Sequence, residues 1–413
     1  MKKRSSVTTF LWAFLAASAA FADDWPQFRG PCRDGRSPET SLLRTWPQDG
    51  PKLLWVAQGL GTGFASIAIA DGYVYTTGMV GEEKDGLLFA YDVNGTFRWK
   101  ASYGPEWSSS HPGSRTTPTI DGDRAYVLGG YGNLACFDAK TGKQRWQADT
   151  AKCFGATNTN WGLSESPLVV HDKVICTPGG RDATVVALDK MTGRTIWTTK
   201  GLSDNSAHCS PILIEKAGKK LIVTVTAAHV VGIDPEDGKV LWQYQNKLHK
   251  DKPRHVNPNC PLYHDGRIYV TSRFVGGMML RLSPDGKSVS EAWTNGQLDP
   301  HHGGVVLVDG HIYGANTKRN GWMCLDWKTG KTIYEKKWVG KGSIICADGM
   351  LYCYEEKEGT VGLVPASTDG FNVISSFKVS YGTGEHWAHP AISDGILYIR
   401  HGDALIAYNI KQQ

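Results

Sequence analysis

The 413-residue sequence predicts an all-β protein, an eight-bladed β-propeller, and three observations support this fold class. A unit of about 40–50 residues recurs along the chain, and each unit contains short runs rich in β-branched and aromatic residues, which are typical of strands. Tight turns, most of them Asp-Gly, separate the first two runs of each unit. No long segment shows the 3.6-residue apolar period of a helix. Units of this length, with four strands each, close into a ring of sheets.

One complete unit, residues 117–146, reads TPTIDGDRAYVLGGYGNLACFDAKTGKQRW. A Pro-containing stretch leads into the first strand, an Asp-Gly turn reverses the chain, a Gly-rich loop precedes the third strand, and a Thr-Gly-Lys turn precedes a fourth strand ending in Trp. Eight first turns are predicted, at Asp71-Gly72, Asp121-Gly122, Asp172-Lys173, Gly218-Lys219, Asp265-Gly266, Asp309-Gly310, Asp348-Gly349 and Asp394-Gly395. The closing aromatic residues are Trp99, Trp146, Trp197, Trp242, Trp293, Tyr334 and Phe377. These rings are expected to pack between neighbouring blades and to bind no ligand.

The stretch DGPKLLW, residues 49–55, resembles the end of a unit although no unit precedes it. The last unit has its first turn at Asp394 and a third strand in ALIAYNI, but no fourth strand follows. We therefore predict that residues 52–57 form the outer strand of the last blade. Such pairing closes the ring and leaves no open sheet edge at the junction.

The N-terminal residues predict export. Residues 1–22 combine a basic start, an apolar run and an Ala-Phe-Ala site, as a secretory signal does. No later run reaches the roughly 18–20 apolar residues that a membrane-spanning helix needs. We expect a periplasmic or secreted monomer in which residues 23–50 are a leader and residues 51–413 are the propeller. Deletion of residues 23–36 is expected to cost much less stability than deletion of residues 52–57.

Charge and cysteine content limit the possible functions. The signal holds three basic residues, so the net charge falls from +5 to +2 without it, and no basic run forms a nucleic-acid footprint. The nine cysteines are an odd number and include no C-x-x-C motif. Cys209 and Cys260 precede comparable positions in successive units and could form a disulfide, which the sequence leaves open.

The phrase Ala-Leu-Asp-x-x-Thr-Gly-x-x-x-Trp, residues 187–197, resembles the pyrroloquinoline-quinone-type propeller repeat, and variants occur at residues 136–146 and 232–242. The resemblance runs from about Lys52 to the C-terminus. The leader DWPQFRGPCRDG, residues 24–35, also resembles the start of secreted bacterial members without an assigned activity. This family includes quinone-dependent alcohol dehydrogenases and the non-catalytic propeller lipoprotein of the outer-membrane barrel-assembly machinery. The resemblance therefore implies the fold but not one function.

The loops before the first strands are polar and aromatic, and in a propeller they gather around one end of the central channel. Each side chain alone can satisfy backbone groups where a strand begins. Their concentration instead predicts a shared ligand-binding mouth. The candidate residues are His111, Arg115, Trp161, Glu165, His208, Asn259, His301, His302, His386, Trp387 and His389, and His249 and His255 belong to the same loops.

We predict a non-catalytic binding scaffold that holds a carbohydrate, peptide or partner protein at this mouth and needs no cofactor. The first alternative is a dehydrogenase with pyrroloquinoline quinone and calcium, in which Trp161 stacks on the quinone and Glu165, Asn259 and Asp299 hold the cation. The adjacent-cysteine pair of several such enzymes is absent. Further alternatives are a structural role in an envelope assembly and a transition-metal site of His301, His302 and His389, although no spacing resembles a zinc motif.

Overall fold

The computed structural model describes residues 24–156, 161–181, 183–246 and 256–412, which form eight four-stranded antiparallel sheets and one short helix, α1 (Thr150–Phe154). In each sheet the first strand is mostly buried and the fourth is largely exposed. First strands of successive blades contact one another, so they surround the central axis. The predicted eight-bladed propeller is confirmed.

The first four blades follow one another in sequence. Blade 1 contains β2 (Ala68–Ala70), β3 (Tyr73–Val80), β4 (Asp85–Asp92) and β5 (Phe97–Pro105). Blade 2 contains β6 (Thr119–Asp121), β7 (Arg124–Leu128), β8 (Asn133–Asp138) and β9 (Gln144–Asp149). Blade 3 contains β10 (Leu168–Val170), β11 (Lys173–Cys176), β12 (Val186–Asp189) and β13 (Thr195–Thr198). Blade 4 contains β14 (Ile212–Lys216), β15 (Lys219–Val225), β16 (His229–Ile233) and β17 (Val240–Gln245).

The last four blades complete the ring. Blade 5 contains β18 (Leu262–His264), β19 (Arg267–Ser272), β20 (Gly276–Leu282) and β21 (Val289–Asn295). Blade 6 contains β22 (Val305–Val308), β23 (His311–Asn316), β24 (Gly321–Asp326) and β25 (Thr332–Lys337). Blade 7 contains β26 (Gly342–Ala347), β27 (Met350–Glu355), β28 (Thr360–Pro365) and β29 (Ser375–Lys378). Blade 8 contains β30 (Ala391–Ser393), β31 (Ile396–His401), β32 (Ala404–Asn409) and β1 (Lys52–Ala57).

The strand β1 closes the ring. It pairs antiparallel with β32, from Lys52 opposite Asn409 to Ala57 opposite Leu405. The predicted N-terminal closure, including its boundaries, is therefore confirmed.

The first turn of each blade is a two-residue hairpin. In blade 6 both turn residues, Asp309 and Gly310, have positive φ angles of 45° and 76°, as a type I′ turn requires. Three predicted turns are displaced by one residue, because they lie at Gly122-Asp123, His171-Asp172 and Ala217-Gly218. His171 and Ala217 take the left-handed conformation there, and neither is the Asp or Gly that the sequence pattern uses to locate such a turn.

The closing tryptophans of blades 1, 2, 3 and 5 join their blade to the next by an indole hydrogen bond, whereas the indole N–H of Trp242 in blade 4 has no partner among the described residues. The indole N–H of Trp146 donates to the Lys190 carbonyl oxygen at 3.0 Å, and its ring lies against Gly193 in the following blade. Trp99 makes the same contacts with Ala139 and Gly142. A Cβ at either glycine would overlap the ring, so the Thr-Gly turn and the Trp form one unit of packing.

The leader, residues 24–50, differs from expectation because its first part lies inside the channel. Trp25 forms an antiparallel bridge with Ile69 of blade 1, and Cys346 of blade 7 exchanges backbone hydrogen bonds with Gly35 and Ser37. Trp25, Arg29 and Arg33 are only 1%, 2% and 2% exposed. Because these residues are buried, we no longer expect deletion of residues 23–36 to cost much less stability than deletion of residues 52–57, and we expect a large loss instead.

Two buried arginines fix the leader without a carboxylate partner among the residues described. Arg33 donates to the carbonyl oxygens of Ser166 and Pro167 in blade 3 and Pro211 in blade 4, at 2.9, 2.5 and 3.0 Å. Arg29 reaches across the channel to the carbonyl oxygen of Val305 in blade 6. Burial lowers the pKa of Arg33 to about 10, so it remains charged at neutral pH.

The cysteines, the predicted signal and membrane-spanning helices were the remaining points raised by the sequence. Cys209 and Cys260 are both buried free thiols, and the other seven cysteines are free as well. The predicted signal, residues 1–22, lies outside the described residues. Within the described segments no helix has the length and hydrophobicity needed to cross a membrane.

We predict that Arg33→Met destabilises the protein strongly. Methionine keeps the apolar stem but leaves the buried carbonyl oxygens of Ser166 and Pro211 without a donor, each costing about 1–3 kcal/mol. The Pro167 carbonyl oxygen keeps its hydrogen bond from the Thr119 hydroxyl. The free energy of unfolding, measured by urea titration, should fall by roughly 3 kcal/mol or more. The control is Arg36→Met, an exposed position on the same segment. Equal unfolding midpoints for the two variants would contradict the assigned role of the leader.

Candidate functional site

Four aromatic side chains from four different blades meet at one end of the channel. The ring of Trp387, before β30, lies 4.8 Å from Phe64, before β2, and 5.4 Å from His111, before β6. It also lies 5.1 Å from His302, before β22. These loops therefore converge as the sequence predicted. We call Phe64, His111, Trp387, His302 and His301 the aromatic ribbon.

The ribbon continues into a loop of blade 5. His301 lies 4.6 Å from His302, and its Nε2 accepts a hydrogen bond of 3.1 Å from Nη1 of Arg273. Burial, followed by the charge of Arg273, lowers the pKa of His301 to about 3, so its ring is neutral. Arg273 itself lies over the ring of Phe274, 4.3 Å from its centroid.

Arg115 forms the other flank of the ribbon. Its guanidinium donates to the carbonyl oxygens of Gly113 at 2.8 Å and Ser110 at 3.1 Å, and it lies 5.9 Å from the Phe64 ring centroid. Burial lowers its pKa to about 10. Arg115 thus holds the loop that presents His111 and adds a positive charge beside the ribbon.

His389 lies below the ribbon and connects it to the leader. Its Nε2–H donates to the carbonyl oxygen of His302 at 2.7 Å, while its Nδ1 accepts from Nη1 of Arg29 at 3.3 Å. One ring nitrogen donates and the other accepts, so the imidazole is neutral. Burial, then the charge of Arg29, lowers the pKa of His389 to about 3. Its role is to support the mouth from beneath.

His386 belongs to a separate buried pair. Its ring stacks on His401 with 3.6 Å between centroids, and its Nδ1 shares a 2.5 Å hydrogen bond with the Tyr354 hydroxyl. His401 faces the carbonyl oxygens of Tyr381 and Gly384 with its two ring nitrogens, at 2.7 and 2.9 Å. The pair therefore anchors the loop that carries Trp387.

His208 and Trp161 form a second group on the blade 3 and blade 4 side. Their ring centroids are 6.5 Å apart, and Nδ1 of His208 is hydrogen-bonded to the Ser164 hydroxyl at 2.9 Å. Burial, then the charge of Arg115, lowers the pKa of His208 to about 4.

Backbone N–H groups donate hydrogen bonds to the side chains of Glu165, Asn259 and Asp299. This is the structural role that each of these residues, taken alone, can have where a strand begins. Asp299 accepts from the backbone N–H of Phe274 at 3.0 Å with one oxygen and of Thr317 at 2.8 Å with the other. The Asn259 amide oxygen accepts from the Gly304 N–H at 3.1 Å, and its NH2 group faces carbonyl oxygens. Glu165 accepts from the Thr177 N–H with Oε1.

This donor set does not fit the calcium ion of a quinone site. Among the three side chains only Oε2 of Glu165 is without a hydrogen-bond partner, and burial raises the pKa of that carboxyl to about 7. A cation of this kind takes several oxygen ligands. Over the described residues no group of three or more His, Cys, Asp and Glu side chains could hold a metal ion, and this includes His301, His302 and His389.

The sequence therefore located four members of the ribbon, His111, His301, His302 and Trp387, together with the flanking Arg115. Phe64, Arg273 and Phe274 were missed. Phe64 lies before the first strand of blade 1, in a loop that was not among the predicted mouth loops. Arg273 follows the second strand of blade 5, whereas the predicted mouth loops all precede a first strand. His249 and His255 lie outside the described residues.

The chain is similar to known proteins in its repeat sequence and in its propeller fold. Residues 84–252 match the family model described as outer membrane protein assembly factor BamB. The structure of BamB from Moraxella catarrhalis superposes with a TM-score of 0.65 at 12% identity, covering 87% of this chain and 99% of that chain. The chain is a propeller of the pyrroloquinoline-quinone-like repeat family. The resemblance seen in the Thr-Gly-Trp phrases is thereby confirmed.

Enzymes share the same repeat propeller. Over 157 residues the chain is 29% identical to a quinoprotein ethanol dehydrogenase of Pseudomonas putida, covering 35% of this chain and 24% of the enzyme. Over 216 residues it is 27% identical to a quinoprotein alcohol dehydrogenase of Pseudomonas putida, covering 50% of this chain and 32% of the enzyme. The matches thus span a third or less of these relatives.

A solved enzyme structure also superposes on this propeller. The quinohemoprotein alcohol dehydrogenase of Comamonas testosteroni gives a TM-score of 0.67 at 14% identity, covering 96% of this chain and 82% of the enzyme. This likeness concerns the fold alone. The repeat propeller is therefore related both to quinoprotein dehydrogenases and to BamB.

The neutral histidines of this site predict acid destabilisation. The pKa values of His208, His301 and His389 fall to about 4, 3 and 3 in the folded protein, against roughly 6.5 when unfolded. Below pH 6.5 these histidines therefore become protonated in the unfolded chain, whereas in the folded chain they stay neutral down to about pH 4. Each histidine lowers the free energy of unfolding by about 1.4 kcal/mol per pH unit in that window. Glu165 acts oppositely, because its raised pKa lets the folded chain take up one proton first.

Urea titrations at pH 7, 6 and 5 test this expectation. The free energy of unfolding should decline with falling pH, and His389→Gln should have a shallower decline, since glutamine does not titrate. His311→Gln, at the partly exposed first residue of β23, is the control. Identical slopes in all three proteins would show that His389 does not resist protonation.

We further predict that Asp299→Asn loosens the blade 5 loop. Asparagine has one acceptor where the carboxylate has two, so one of the Phe274 and Thr317 amides faces an NH2 group. Hydrogen bonds to a charged group contribute about 1.5–3 kcal/mol, and a loss of that size is expected in urea unfolding. Asp309→Asn should change stability by less than about 0.5 kcal/mol, because asparagine tolerates the left-handed turn conformation. If Asp299→Asn left the free energy of unfolding unchanged, the Asp299 carboxylate would not stabilise this loop.

Proposed function

We propose that the protein is a non-catalytic binding propeller that holds a ring-shaped ligand at the aromatic ribbon. The observation that carries this proposal is the position of Trp387. Its indole is only half-buried, although it contacts rings from blades 1, 2 and 6. An accessible tryptophan among other rings at a concave end is a stacking surface with polar groups at its edge.

The surrounding histidines support binding rather than catalysis. His301 and His389 each have a ring nitrogen engaged by an arginine, so neither is poised to take a proton from a ligand. Proton transfer catalysis needs a group whose pKa lies near the working pH, whereas the pKa of each ring is lowered to about 3. Their chemistry is that of neutral hydrogen-bonding groups.

A quinone-dependent dehydrogenase is the second candidate. It is supported by the similarity to quinoprotein dehydrogenases and by Oε2 of Glu165, a buried carboxyl oxygen without a hydrogen-bond partner in the described part of the chain. Against it stand Asn259 and Asp299, whose oxygen atoms are already occupied by backbone amides. In such an enzyme the bound quinone supplies the oxidising power.

We also propose that the chain is exported and acts in the periplasm or outside the cell, since residues 1–22 have the pattern of a secretory signal. A protein partner in an envelope assembly is a further occupant of the same mouth. BamB, to which the chain is similar, is described as an outer membrane protein assembly factor.

The test compares Trp387→Ala with the wild type against an array of neutral and acidic oligosaccharides and against pyrroloquinoline quinone with calcium. Truncating a central aromatic anchor should weaken saccharide binding about 30-fold, which corresponds to roughly 2 kcal/mol. Tyr381→Ala, an exposed aromatic residue on the same loop, should leave binding unchanged.

Two other results would count against the proposal. Saturable quenching by the quinone together with alcohol oxidation, both lost in Glu165→Gln, would establish the dehydrogenase. Absence of binding to every member of the array would exclude a saccharide site at Trp387 and leave the partner protein as the occupant.

A further inference from the structure

The charge around the aromatic ribbon is unbalanced. Arg273 and Arg115 flank the ribbon, and neither has a carboxylate within ion-pair distance among the residues that the structure describes. Elsewhere on the surface some exposed arginines are paired, as Arg44 is with Asp348, Arg98 with Asp92 and Arg319 with Glu335. The two cations at the ribbon are therefore free to face a ligand.

Two acidic groups lie near the ribbon or its flanking arginines. Oε2 of Glu356 lies 3.7 Å from Nε2 of His302, and the other oxygen of Glu356 forms an ion pair with Lys341. Buried Glu106 interacts electrostatically with Arg115. Since the Glu356–Lys341 pair contributes no net charge and Glu106 offsets Arg115, the positive charge of Arg273 sets the local potential. A negatively charged ligand group is favoured here.

Arg273 is the better anchor of the two. Three carbonyl oxygens already accept from the guanidinium of Arg115. Within the described residues the only hydrogen bond from the Arg273 side chain is the one that Nη1 donates to His301, so its Nη2 group is available. A guanidinium edge with free N–H groups matches the two oxygens of a carboxylate.

The backbone beside Arg273 is held in a conformation that a bulky residue rarely adopts. Phe274 has a φ of 69° and a side chain that is 46% exposed. Its N–H is fixed by Asp299 at 3.0 Å. Unfavourable backbone geometry with an exposed aromatic ring is a feature of ligand-binding loops. The loop presents Phe274 and Arg273 together, an aromatic face beside a cation.

Neutral imidazoles supply the other recognition chemistry. A neutral ring has one donor and one acceptor nitrogen, which suits hydroxyl groups that also donate and accept. Of the neutral rings, His301 is partly accessible, whereas both ring nitrogens of His302 are buried. His111 adds an exposed imidazole at the rim. A ligand with several hydroxyls on a ring would use such edges.

We propose that the mouth binds an acidic sugar, with its ring against Trp387 and its carboxylate on Arg273. This inference rests on the proposed binding function and adds the chemical class of the ligand. Aromatic carboxylates share the ring and the charge but lack the hydroxyl groups that the histidines accommodate.

The experiment uses the full chain with three probes: a galacturonate oligomer, the same oligomer with its carboxylates methyl-esterified, and benzene-1,3,5-tricarboxylate. The galacturonate oligomer should bind, with an affinity that falls at high salt. The ester should bind with an affinity about tenfold lower than that of the acid, because it loses a charge-assisted hydrogen bond. Arg273→Gln should abolish this difference, whereas Arg281→Gln, at the one exposed residue of the buried strand β20, should preserve it.

The outcomes separate the two proposals. Equal binding of acid and ester, unchanged in Arg273→Gln but lost in Trp387→Ala, would overturn the acidic ligand and leave the ring-binding mouth. Binding of the tricarboxylate alone would overturn the sugar. No binding of any of the three would overturn the acidic ligand, and the neutral members of the oligosaccharide array then decide whether the mouth binds sugars at all. Urea unfolding of Arg273→Gln confirms that a lost preference does not come from a lost fold.

Discussion

The contact between a tryptophan on one blade and a glycine turn on the next is the interaction on which the rest of the structure depends. It couples an inter-blade hydrogen bond to ring packing that admits no Cβ at the glycine. Trp55 on β1 makes the same contact with blade 1, where it donates to the Val93 carbonyl oxygen at 2.8 Å and packs against Gly95. The ring thus closes with the joint that blades 1, 2, 3 and 5 also make with the blade that follows them, and the orientation of the mouth loops follows from that closure.

A second layer of constraint comes from the leader. Its arginines bind carbonyl oxygens just where first strands begin, so the leader and the mouth share the same structural support. Gly35 shows how tightly this is built, because a Cβ there would lie 2.5 Å from Nη2 of Arg29. Through His389, Arg29 is also linked to the backbone of His302. The floor of the mouth therefore consists of leader residues as well as blade residues.

The sequence predicted the blades well because their signals are local. Asp-Gly turns, alternating strands and Thr-Gly-Trp phrases each act within a few residues, and β1 was recognisable because it repeats a phrase that belongs at the end of a unit. The role of the leader could not be read in this way. Arg29 and Arg33 are partnered by backbone carbonyls far away in the chain, and a carbonyl oxygen has no sequence signature. The site was only partly predictable, again because only local signals can be recognised in the sequence. Loops before first strands are identifiable, but the approach of Arg273 to His301 depends on how the blades are arranged around the axis.

The buried leader has a consequence for the shape of anything the mouth accepts. The segment contacts first strands, or the residues just before them, in blades 1, 2, 3, 4, 6 and 7, so it occupies the axis of the propeller. The opening is then a blind well with no exit on the opposite side. A long polymer cannot thread through it and must instead present a chain end or lie across the rim. Whatever enters also leaves by the same route, and residence time is set at the rim alone.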